Sequence, residues 1–92
     1  MGLEHRRAPI IKELRSLAIV RQIDGVLVDA SCYAIRAEER IRYEIRLVGH
    51  GEHAVVDVAD GEDLELRRNV AIRAFAAAVK ARAAQVRRIS TL

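Results

Sequence analysis

Between Leu17 and Val58 apolar and polar side chains alternate with a period of two, and three two-residue breaks interrupt the alternation. Such a pattern belongs to strands buried on one face. Asp24-Gly25 is a strong hairpin dipeptide, and Glu38-Glu39 and His50-Gly51 read as two further tight turns. These turns fix the pairing without adjustment. Ala34 falls opposite Tyr43, Cys32 opposite Ile45 and Ala30 opposite Leu47. Across the next turn Tyr43 meets Val58, Ile45 meets Val56 and Leu47 meets Ala54. A first strand over 17–23 adds Leu17 opposite Cys32 and Ile19 opposite Ala30. One face is apolar in every row, and a one-residue slip would expel all of it to the other face. The pattern predicts a four-stranded antiparallel meander. It places Tyr43 and Ile45 on the buried face, with Arg42 and Arg46 opposite.

The second strand gives that face only small side chains, Ala30, Cys32 and Ala34, which leaves a trough for a helix. The C-terminal segment supplies one. Asp60 reads as its N-cap with Asp63 as the acid three residues on. Carboxylates crowd its first turn and arginines its last, matching the helix dipole. Ile72, Phe75, Ala76, Val79, Ala83 and Val86 form the stripe assigned to the sheet. Leu66, Val70, Ala74, Ala77, Ala78 and Ala81 form a second apolar side. Pro9, Ile10, Ile11, Leu14 and Leu17 fit a short amphipathic N-terminal helix, and either that helix or another subunit is expected to cover the second side. The expected architecture is therefore α+β: a short N-terminal helix, the four-stranded meander, and a long C-terminal helix packed on one sheet face. Residues 8–88 form a single domain, between tails at 1–7 and 89–92. The order helix, strands, helix is similar in outline to the double-stranded-RNA-binding domain. That family's lysine-rich start to its last helix is replaced here by "DGEDLE", whose carboxylates repel phosphate.

Ninety-two residues supply one core at most. Fifteen alanines and only three aromatics, Tyr33, Tyr43 and Phe75, make that core thin. A core of this kind often gains support from a second chain. The single cysteine, Cys32, excludes an internal disulfide and a zinc site built from several cysteines of one chain. With no long apolar run and no signal-like N-terminus, the expectation is a cytoplasmic chain without membrane contact. Arg6 stands where N-myristoylation needs Ser or Thr.

Chemistry-bearing motifs are sparse. His50-Gly51-Glu52-His53 resembles a metal pair, but a tight turn splays its histidines and no third ligand is evident. Asp57, Asp60 and Asp63 lie three apart, unlike the alternating acids of a calcium loop. Ser16, Ser31, Ser90 and Cys32 have no persuasive base partner. No enzyme activity and no cofactor are expected. What remains is surface. About half of the outer sheet face is apolar, which suits a covered face. The expected role is a non-enzymatic interaction or regulatory module that self-associates as a homodimer. Its contact uses Val20, Tyr33, Val48 and Val55 on the sheet, or Ala74, Ala77, Ala78 and Ala81 on the helix. The alternative is a small nucleic-acid-binding protein. It would use Arg36, Arg40, Arg42 and Arg46 of the central hairpin, with Arg73, Lys80, Arg87 and Arg88 of the helix.

Overall fold

The computed structural model describes residues 9–90, and side chains through Arg87. The expected tail at 1–7, the last two residues and the Arg88 side chain lie outside that description. The architecture is α+β, an antiparallel sheet carrying one long C-terminal helix. The strands are β1 (Ile10–Glu13), β2 (Ile19–Ile23), β3 (Val26–Ala37), β4 (Arg40–Gly49) and β5 (Glu52–Val58). Helix α1 spans Leu64–Ser90, two residues beyond the domain end expected at 88.

The expected meander is present in its expected register. Ala30 pairs with Leu47, Cys32 with Ile45 and Ala34 with Tyr43. Ile45 pairs with Val56 and Leu47 with Ala54, while Ile19 pairs with Ala30. Asp24-Gly25 and His50-Gly51 both have positive φ at their two positions, as type I′ hairpin turns require. Their twist matches that of the flanking strands, so the register is set locally and confirmed by burial. On the inner face Val28, Ala30, Cys32, Ile45 and Leu47 are buried, and Ile72, Phe75, Ala76 and Val79 of α1 close over them.

The N-terminal segment departs from expectation. Residues 10–13 form a strand, not a helix, and a 3₁₀ turn at Arg15–Leu17 joins it to β2. The cause is the length of β3. At twelve residues it outruns five-residue β2, and its remaining edge needs hydrogen-bond partners. β1 supplies them: Arg36 N–H donates to Pro9 O at 3.0 Å, and Leu14 N–H donates to Cys32 O at 2.9 Å. Leu17 therefore does not pair with Cys32, and β2 begins at Ile19. With a strand in place of the first helix, the outline of the double-stranded-RNA-binding domain is lost.

Three further details differ. Asp63, not Asp60, caps α1, since its Oδ1 accepts the Leu66 N–H at 3.0 Å. Asp60 instead pairs with exposed Arg40 at 3.0 Å. Tyr43 is 40% exposed, because α1 starts beside it and runs toward the opposite end of the sheet. Its face is as expected, its burial is not. Ala83 and Val86 are exposed as well. Twenty-seven residues of helix reach roughly 40 Å, against roughly 33 Å for ten-residue β4. The end of α1 overhangs the sheet. No helix among the described residues is long and apolar enough to cross a membrane.

Two stability measurements check this account. Asp63→Ala lowers unfolding free energy by about 1 kcal/mol through loss of the cap. Asp60→Ala changes it by less than about 0.5 kcal/mol, as befits an exposed ion pair. A larger loss at Asp60 would return the cap to that residue. Gly49→Ala is expected to cost about 1–3 kcal/mol by overpacking. The added Cβ would lie 2.6 Å from the Leu27 carbonyl oxygen, a backbone atom that cannot swing aside. A neutral urea midpoint would show that β3 and β4 part there more easily than their pairing implies.

Candidate interaction surface

The outer sheet face is built by the residues between those of the core face. It divides into two halves. Near the β4–β5 turn, Val20, Leu27, Val48 and Val55 are all exposed, Val48 at 53% and Val55 at 41%. Pairing brings them close, since Val20 faces Asp29, Asp29 faces Val48, and Val48 faces His53. Leu27 belongs to this patch and is not among the residues expected from sequence. It lies one alternation from the Asp24-Gly25 turn, where apolar residues are commonly absorbed by hairpin closure. The other half is charged, and within it Glu44 and Arg46 satisfy each other. Glu44 is buried and accepts the Arg46 Nε–H at 2.5 Å. The same guanidinium lies 4.5 Å from the Tyr33 ring centroid. Of the expected contact residues, Tyr33 is thus a platform for Arg46 rather than part of the apolar patch.

The sheet has two unlike edges. β1 and β2 share one of them, beside β3. That edge carries Pro9, Lys12, a register shift between Ile10 and Lys12, and the intervening 3₁₀ turn. Each is a device that blunts a sheet edge against further pairing. β5 forms the other edge and, among the described residues, pairs only with β4. Its seven residues, "EHAVVDV", contain no Pro, Lys or Arg, and its register runs unbroken from Glu52 to Val58.

The outward side of α1 is the second candidate. Leu66 is 64% exposed, and Val70, Ala74, Ala77 and Ala81 are exposed too, so no N-terminal helix covers them. Ala78 is half-buried at the margin. Charge counts against a second copy on this side. α1 holds seven basic residues and a single acid, Glu65. The lines of Arg73 and Lys80 from two such helices would face each other and repel.

The expected nucleic-acid residues do not form one surface. Arg42 and Arg46 lie on the outer sheet face, and Arg46 is engaged by Glu44. Arg36 and Arg40 sit at the β3–β4 hairpin, and Arg40 pairs with Asp60. Arg73, Lys80 and Arg87 are exposed on α1, across the sheet from Arg42. One guanidinium missed from sequence holds structure instead. Arg68 is buried, donates through Nη1 to the Leu17 carbonyl at 2.8 Å, and donates twice to Asn69 Oδ1. It ties α1 to the crossing between β1 and β2. Nothing in the local sequence distinguishes it from its solvent-facing neighbours.

No three His, Cys, Asp or Glu side chains converge on a metal-sized site among the described residues. His50 occupies its turn and His53 the outer face, both exposed. The Cys32 thiol is fully buried, and burial pushes its pKa up, with the Arg68 charge pulling it back in part. A thiol held this way is a poor source of thiolate.

That shift has a consequence for stability. The folded chain holds the Cys32 proton more tightly than the unfolded chain, so the difference favours folding below the unfolded value. It is lost as pH rises from about 8.5, the unperturbed thiol value, through the folded one. Unfolding free energy should therefore fall in alkaline solution more steeply for the native chain than for Cys32→Ala. Equal slopes in parallel urea titrations from pH 7 to 10 would mean that the thiol ionises without penalty.

No known protein family matches this chain, and no curated protein or solved structure shows significant similarity to it.

Proposed function

We propose that the chain is a non-enzymatic protein-interaction or regulatory module that self-associates as a homodimer, and that it does so through its sheet. The observation that carries this reading is the bare β5 edge beside the apolar patch that includes Val48 and Val55. Backbone groups along such an edge offer pairing to another chain, and a two-fold contact repeats every favourable row twice. The thin core supports the same reading, since Phe75 is its only large aromatic. The basic face of α1 argues against the helix as the contact between copies.

Sedimentation equilibrium over a wide concentration range tests the proposal. The expected result is twice the chain mass at high concentration. Val55→Glu should return the mass to that of a single chain by placing like charges at the contact. Ala77→Glu, on the exposed side of α1, should leave the dimer intact. A single-chain mass at every concentration would end the proposal. Tight, salt-sensitive binding of a generic DNA duplex by that monomer would favour the nucleic-acid alternative.

A further inference from the structure

We infer that two copies join edge to edge through β5, antiparallel, in the register that sets Val55 of one copy against Val55 of the other. This rests on the self-association reading above and adds the contact and its register. The two-residue His50-Gly51 loop makes Gly49 and Glu52 a hydrogen-bonded pair, and such pairs alternate along an antiparallel ladder. Glu52, Ala54, Val56 and Val58 therefore turn their N–H and C=O groups toward β4. His53, Val55 and Asp57 turn theirs outward, to an edge with no strand beside it among the described residues.

A second β5 must match outward residues with outward residues, which forbids any shift by an odd number. In the register centred on Val55 all three find mates, and each pair exchanges both its hydrogen bonds. A slip of two residues in one direction strands Asp57, and in the other His53. The side chains choose the same register. His53 meets Asp57 on the outer face, twice by symmetry, and Val55 meets Val55 between them. On the inner face Ala54 meets Val56. The slipped registers would instead oppose Val55 to Asp57 or to His53. Hydrogen bonding, charge and apolar matching all select one arrangement, and a second copy of this chain is the partner that supplies all three.

Cross-linking tests the contact separately from self-association. Cα atoms of a hydrogen-bonded antiparallel pair lie about 5.5 Å apart, within reach of a disulfide. Val55→Cys should give a disulfide-linked dimer on mild oxidation, while buried Cys32 stays silent in the native chain. Val20→Cys should not link, because the β2 strands would stand at opposite edges, roughly 34 Å apart. Val55→Pro removes an outward N–H and none of the β4 ladder, so it should fold and run as a monomer. His53→Asp should weaken dimerisation about fivefold, and His53→Asp with Asp57→His should restore it.

A native chain that is monomeric at every concentration removes both self-association and this contact. A native dimer that fails to link at Val55, or that links at Val20 as face-to-face sheets would, overturns the edge contact and leaves self-association standing. Should Val55→Pro fail to fold, the His53 and Asp57 exchange decides: no weakening followed by rescue overturns the register.

Discussion

The fold depends on β3. At twelve residues it is the longest described strand, paired by β4 along one edge and by β1 and β2 in succession along the other. Its inner face carries Val28, Ala30, Cys32 and Ala34, all buried and mostly small. That combination sets everything laid on it. Small side chains let α1 approach closely, so Ile72, Phe75 and Val79 reach Ile45 and Leu47 without competition from large β3 residues. The excess length of β3 recruits the N-terminal segment as a strand, and the 3₁₀ turn at Arg15–Leu17 is where the chain steps from one partner to the next. Arg68 reaches that step from α1 and bonds its carbonyl. Helix, long strand and split edge thus lock one another.

What the sequence discloses, and what it hides, follows from the range of the interactions concerned. The register of β2 to β5 is legible because hairpin turns and period-two burial are both local, and they agree at Ala30, Cys32, Ile45 and Val56. Position β1 is not legible. Ile10, Ile11, Leu14 and Leu17 fit a helical stripe, and only the unmatched edge of β3, some twenty residues away, makes an extended segment better. The helix cap is ambiguous for another reason. Asp60 and Asp63 are both good caps, and the choice falls to Asp63 because Gly61 takes a left-handed turn (φ +86°) before the helix begins. Tyr43 is assigned to the correct face yet stays half-open, because the direction of α1 across the sheet is a property of packing. The surface residues divide likewise. Val20, Val48 and Val55 follow from alternation, whereas the pairing of Arg46 with Glu44 and Tyr33, which withdraws a base from the surface, appears only once β3 and β4 are assembled.

Charge is segregated with a consequence for association. Asp60, Glu62, Asp63 and Glu65 gather around the start of α1, Glu52 lies at the far end of β5 beside Arg82, and the bases follow along the helix. Intramolecular pairs consume part of both sets: Arg82 with Glu52, Arg40 with Asp60 and Arg67 with Glu62. The exposed remainder on α1 is basic. The outer sheet face, by contrast, alternates signs between neighbouring rows, with Glu44 and Asp57 in one and Arg42 and Arg46 in those beside it. A surface of one sign repels its own copy, while a mixed one can be arranged to suit it. The two sides of the molecule are therefore unequal in their suitability for a second copy, although both expose valine and alanine.

The inequality of the two sheet edges carries the argument one step further, to stoichiometry. A strand edge that pairs with its own copy consumes itself, since the same seven residues serve both sides of a two-fold axis. After β5 meets β5, the enlarged sheet would end on both sides in the β1 and β2 edge. There Pro9, Lys12, the bulge and the 3₁₀ interruption oppose further addition. A chain with two bare edges would instead extend without limit, the route to fibres. One blunted and one bare edge is the pattern that permits a single pairing event and then stops, so a contact through β5 would close as a dimer rather than grow as a polymer.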